Sequence, residues 1–222
     1  MNKALIVVGM GLFLTAGAVQ AQEVQKAVVK ADGIYVGLGG GVTFNIAYLY
    51  KGYYQDDTTT YKDGMLSDSN VGYIVYGGYQ FNKIIALEAS YTDYGSFSDT
   101  IARRSGSLTT FTSDPTSISV YANAGYTFDN GMRPFGQLGL GYMLINGSNT
   151  IDNIGIDDSI SMRLGFGFEY SVPTLDGFGF RVAYVEDIQM DGSYSSYDDG
   201  RSTSTFLINA NGMFYVSAQY KF

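Results

Sequence analysis

Large hydrophobic residues alternate with small or polar ones along most of the chain after residue 32. Between Met162 and Tyr170, the even positions are Met162, Leu164, Phe166, Phe168 and Tyr170, and the odd ones are Arg163, Gly165, Gly167 and Glu169. A period of two marks a β-strand with two unlike faces. The strand of a soluble sandwich fills its polar face with Thr, Ser, Lys and Glu. Here that face is mostly glycine with isolated charges and amides, which suits the crowded interior of a small barrel. The same pattern predicts strands over about 33–44, 71–81, 84–92, 117–128, 133–144, 162–170, 178–186 and 213–222. Eight segments of about ten residues have the length a tilted strand needs to cross a bilayer. An even count puts both barrel ends on one side of the membrane.

A repeat fixes the topology. Aromatic pairs two residues apart close every second strand: Tyr79/Phe81, Tyr126/Phe128, Phe168/Tyr170 and Tyr220/Phe222. Their spacings of 47, 42 and 52 residues each span one hairpin pair. Short connections follow the first three pairs, and long polar ones at 45–70, 93–116, 145–159 and 187–211 join the opposite ends. Short turns on one rim and long loops on the other are the asymmetry of outer-membrane barrels. The expected fold is therefore all-β: an eight-stranded antiparallel up-and-down transmembrane barrel with short periplasmic turns and four long extracellular loops. The eight rings are expected to form a girdle at the periplasmic headgroup level.

The N-terminus adds an address. Lys3 precedes an apolar run from Ala4 to Val19, and Val19-Gln20-Ala21 precedes polar Gln22-Glu23. These are the parts of a secretory signal peptide. As a permanent anchor the run is short of the roughly 20 residues a spanning helix needs, and it carries Gly9, Gly11 and Gly17. The expectation is a signal peptide over 1–21 cleaved after Ala21, a periplasmic segment over 22–32 and a barrel over 33–222.

Composition narrows function. The chain of 222 residues holds no His and no Cys, and its net charge is -8. Thiolate zinc sites, Ser-His or Cys-His nucleophiles and disulfides are excluded. The acidic balance argues against nucleic acid. No cofactor or metal is expected; Asp is frequent in the long connections, but no EF-hand spacing appears. Those connections, counted with Glu186 at the edge of the last, hold fifteen acidic residues, Asp187 among them, against five basic ones. Gly37-Leu-Gly-Gly-Gly41 lacks the Lys-Ser/Thr of a phosphate loop and reads as strand glycine.

Four stretches carry a family resemblance: Gly33-Ile-Tyr-Val-Gly-Leu-Gly39, Gly77-Gly-Tyr-Gln-Phe-Asn82 with Leu87-Glu-Ala-Ser-Tyr91, Gly139-Leu-Gly-Tyr142, and terminal Tyr220-Lys-Phe222. On these the chain resembles the small eight-stranded outer-membrane barrels, the OmpA-transmembrane, OmpX and Opa-like group, over 33–222. The resemblance implies location in the outer membrane of a Gram-negative bacterium, contact with outer-membrane lipid and lipopolysaccharide, and a monomer. It also implies that Tyr220 and Phe222 act as the C-terminal signal read by the barrel-assembly machinery, with Ser217 where that signal often has glycine. Barrels of this kind that act as enzymes rely on a catalytic His, so a non-enzyme is expected.

Five charged residues fall on the inward parity: Glu88, Arg163, Glu169, Arg181 and Lys221. Buried charges must pair. The strands of Glu88 and Arg181 lie four apart in eight, and the residues stand four and three positions beyond their strand starts. A Glu88–Arg181 contact across the lumen is expected, with Arg163 near the same network and Glu169–Lys221 as a second pair. The functional expectation is a structural or surface-exposed barrel with a largely plugged lumen, whose acidic loops serve adhesion or host and partner contact. Tyr194, Tyr197 and Phe206 suit such contact, and Arg103-Arg104 suits lipopolysaccharide phosphate. The alternative is a small porin-like channel for ions or solutes.

Overall fold

The computed structural model describes residues 31–51, 66–102, 108–147, 158–198 and 201–222. Nine strands follow in chain order: β1 (Gly33–Lys51), β2 (Leu66–Gln80), β3 (Ile85–Asp93), β4 (Phe97–Ala102), β5 (Leu108–Gly125), β6 (Met132–Gly147), β7 (Ser159–Ser171), β8 (Phe178–Asp198) and β9 (Arg201–Lys221). All pairings are antiparallel, and β9 pairs with β1 to close the sheet. β3 and β4 are successive segments of one wall strand, because both pair with β5. The barrel is thus eight-stranded, up-and-down and transmembrane.

The break in that strand has a local cause. Residues 94–96 face Asp114 and Pro115 of β5 without a ladder pair, and proline has no N–H to offer. The Pro115 carbonyl accepts from Tyr94 N instead, and Thr43 donates to the Tyr94 carbonyl at 2.6 Å. Gly95 takes the bend at φ 75°.

Register sets the barrel's shape. From Tyr35 on β1, directly paired residues run through Gly78, Glu88, Tyr121, Gly139, Arg163, Asp187 and Asn211. The eighth step returns to β1 at Asn45, ten residues above the start. With a rise of about 3.3 Å per residue and strands about 4.8 Å apart, that shear tilts the strands by about 40°. The positions of this row are all inward, so one climbing line of side chains passes right around the lumen.

Parity sorts the wall as the alternation predicts. Ile34, Val36, Leu38, Leu138, Leu140, Phe166, Val182, Phe214 and Val216 are exposed on the outer face, while Tyr35, Tyr76, Glu88, Arg163, Arg181 and Tyr215 are buried inside. The strands outrun the predicted spans at the far rim. The 187–211 connection is mostly ladder: β8 and β9 pair as far as Asp198 and Arg201, with an irregularity between Asp191 and Tyr194. Likewise 45–51, 66–70, 97–102 and 108–116 are strand, not loop. Alternation against lipid ends at the membrane surface, but backbone pairing does not need lipid to continue. Tyr194, Tyr197 and Phe206 therefore stand on strands. The signal-peptide segment and Arg103-Arg104 lie outside the described residues.

The short connections are built by specific turn chemistry. Asn82 Oδ1 accepts from the N–H groups of Ile84 and Ile85. At the second turn Phe128 N donates to the Met132 carbonyl and Gly131 N to the Phe128 carbonyl, with Gly131 at φ 86°. A three-residue hairpin with glycine in the left-handed region is a favoured geometry.

The charged interior as candidate functional site

Glu88 on β3 and Arg181 on β8 face each other across the barrel. Arg181 donates through Nη1 to Oε2 at 3.0 Å and through Nη2 to Oε1 at 2.8 Å, the two-point geometry that makes Arg–carboxylate pairs strong. Glu88 also accepts from Tyr35 at 2.5 Å, Asn123 at 2.5 Å and Gln137 at 3.2 Å. Its charge is thus spread over donors from three wall strands, β1, β5 and β6, besides β8's guanidinium. The expected cross-lumen pair is made.

The rest of the network adds partners to those expected. Glu169 is held by Arg181 at 2.6 Å and by Arg133 at 3.3 Å, and Lys221 donates to Gln80 at 2.5 Å. Arg133, Glu169 and Arg181 are direct ladder neighbours on β6, β7 and β8. Arg133 is thus a cation on Glu169 that was not among the expected charges. It stands on the inward parity of its strand, four residues before Gln137, so parity carried further down finds it.

Arg163 pairs elsewhere. It donates to Asp187 at 2.8 Å, Thr92 at 3.2 Å and Ser119 at 3.3 Å, while Tyr94 donates to the same Asp187 oxygen at 2.7 Å. Asp187, expected in a solvated loop, is 0% exposed inside the barrel. Its inward parity continues Arg181, Ala183 and Val185 along β8. Higher still, neutral amides take over: Asn45 donates to Asn209 and Asn211, Asn209 to Gln189, and Gln189 to Ser159.

Two physical features let so many polar groups share the space. Aromatic faces cover the guanidinium groups, with Arg181 4.0 Å from the Tyr76 ring centroid and 4.9 Å from that of Phe135, and Arg163 5.1 Å from Tyr121. Glycine makes the room. A Cβ on Gly78 would stand 2.9 Å from Glu88 Cγ, and one on Gly139 would run into the Tyr121 backbone.

The aromatic pairs are all on the outer face at the short-turn rim, with Tyr79, Phe81, Tyr126, Phe128, Phe168, Tyr170, Tyr220 and Phe222 exposed. Tyr79–Phe81, Tyr126–Phe128 and Tyr220–Phe222 meet edge to face at 4.9–5.1 Å between centroids. Phe178–Phe180 on β8 makes a further such pair at 5.2 Å that the repeat did not point to. Among the described residues, no group of three or more His, Cys, Asp or Glu could hold a metal ion.

Residues 11–222 match the family model of the outer membrane protein beta-barrel domain. The chain belongs to that family. Among solved structures it is similar to OprG, an outer-membrane protein of Pseudomonas aeruginosa, with 11% identity, a TM-score of 0.56, and coverage of 89% of this chain and 99% of the other. It is also similar to the neisserial surface protein NspA, at 16% identity and a TM-score of 0.50, covering 87% and 99% of the two chains. Identities this low speak for the family's fold alone. No curated protein matches the chain in sequence.

Proposed function

We propose that this outer-membrane barrel is a structural, surface-exposing protein whose lumen is closed by its own side chains, and that it is not an enzyme. The observation that carries the reading is the Glu88–Arg181–Glu169–Arg133 cluster. It links opposite walls of an eight-stranded barrel, and each member is no more than 5% exposed. Eight strands leave an interior that side chains fill, and here those side chains are pinned in ion pairs from both sides. Without His or Cys, the usual nucleophile and metal chemistries lack their residues.

In this reading the signal segment ends after Ala21, and the short-turn rim with its aromatic pairs lies at the periplasmic headgroup level. Tyr220 and Phe222 guide insertion by the assembly machinery in a Gram-negative cell. The acidic far-rim hairpins are displayed outward for adhesion or partner contact, and the barrel works as a monomer among lipopolysaccharide. Deleting 192–200 in cells that display the protein tests the contact role: binding to host cells or matrix should fall while heat-modifiable gel mobility persists. Unchanged binding contradicts the adhesive part of the reading.

The porin-like alternative has one observation in its favour. Asp187 Oδ1, Asn211 Nδ2, Ser90 Oγ and Ser161 Oγ are buried without a protein partner, and enclosed water is the usual partner of such atoms. Sugar-driven swelling of proteoliposomes separates the two. A closed lumen predicts none above protein-free vesicles, and swelling that scales with protein content favours the channel.

A further inference from the structure

Glu186 is out of place. It lies on β8 beside Asp187, so its parity is that of Phe180, Val182, Tyr184 and Ile188, the outer face. Eight residues separate it from Phe178 at the aromatic rim, which at a tilt of about 40° lifts it about 20 Å. The apolar band of such a barrel is about 25 Å tall. Apolar residues continue past it: Ile188 is the next outward position on β8, and outward Ile160 on the neighbouring β7 is 69% exposed. The carboxylate therefore faces lipid inside the band, near its outer edge, where an ionisable side chain is costly and rarely without a role.

Its surroundings are specific. Glu186 is flanked in the ladders by Leu164 and Gly212, and Gly212 pairs on its other side with Phe44. The Phe44 ring lies against Gly212 in the space a Cβ would need. Phe44 stacks on Tyr184 with centroids 5.9 Å apart and planes 10° from parallel, and Tyr184 meets Phe214 at 4.7 Å and Phe166 at 5.5 Å. Tyr184 is the next outward residue below Glu186 on β8, so its hydroxyl and the carboxylate share one face of the strand. On the described outer face of β7, β8, β9 and β1 there is no Lys or Arg. Among the described residues, this face offers the carboxylate no countercharge.

We propose that Glu186, Tyr184, Phe44 and Phe214 form a site on the outer wall for the ammonium group of a membrane amphiphile. The carboxylate supplies the countercharge, the Tyr184 hydroxyl on the same face offers a further polar contact, and the ring faces attract the cation while the amphiphile's chain lies along the apolar wall. The depth selects a lipid-borne amine over a dissolved one.

The test uses the folded full-length barrel in neutral maltoside micelles, with octadecylamine or octadecanol added at equal concentration and bound amphiphile counted by native mass spectrometry. Wild type should retain the amine over the alcohol by roughly tenfold, the scale of one charge-assisted hydrogen bond in an apolar setting. Glu186→Gln should level the two, and Tyr184→Phe should reduce the preference, with heat-modifiable mobility showing that each variant is folded. Equal retention of amine and alcohol by wild type overturns the proposal. So does an amine preference that survives Glu186→Gln, which would mean an adventitious additive only, drawn by the protein's general acidity.

Discussion

Arg181 holds two carboxylates at once, and its removal is the most damaging single change inside the barrel. Arg181→Ala leaves Glu88 and Glu169 without the guanidinium that holds both. Breaking a buried pair by deleting one partner costs about 3–5 kcal/mol, so reversible urea unfolding in vesicles should show a loss of that order. Glu88→Gln combined with Arg181→Met should cost less than the two single changes summed, because neither variant partner is left charged and unpaired. Strict additivity would show that the two side chains do not depend on each other. At Gly139 the constraint is steric: Gly139→Ala pushes a methyl into the Tyr121 and Val120 backbone, an overpacking that costs about 1–3 kcal/mol in the same assay.

The strands divide into a wall and an extension. Within the membrane each strand answers to lipid on one face and a packed lumen on the other, so the amino-acid sequence shows it plainly through parity. Ile34 to Val42 and Met162 to Tyr170 are clear examples. Above the membrane both faces meet water, and the pattern that betrays a strand fades. That is why the ladder beyond Asp187 was not legible, although β8 and β9 pair for many residues more. The same limit hid the site. Asp187 and Glu186 sit next to a polar stretch that resembles a loop, while parity places one in the lumen and the other on the lipid face. The cross-lumen Glu88–Arg181 pair was legible because both residues lie well inside clear alternation. The partner of Glu169 was not, because Arg133 stands at a strand end where parity is thin. Hydrogen exchange should follow this division: amides of β8 from Phe178 to Gln189 should exchange far more slowly than those from Ser195 to Asp198, whose ladder water reaches from both faces. Equal protection along β8 would contradict a membrane boundary near Gln189.

Over the whole molecule, one number links register to shape. The circuit from Tyr35 to Asn45 sets a strand tilt of about 40°, and polarised infrared dichroism of oriented bilayers should return that angle. A tilt near 35° would mean a register two residues shorter. The same circuit carries Glu88, Arg163 and Asp187 up around the lumen, with Arg181 bridging from the far wall, so shape and filling follow from one pattern of pairing. The claim that matters most is that this filling closes the barrel. Single-channel recording of the purified wild-type protein in planar bilayers tests it directly. The account predicts silent membranes with no steady open state; a stable, large conductance that appears with each inserted molecule would contradict it.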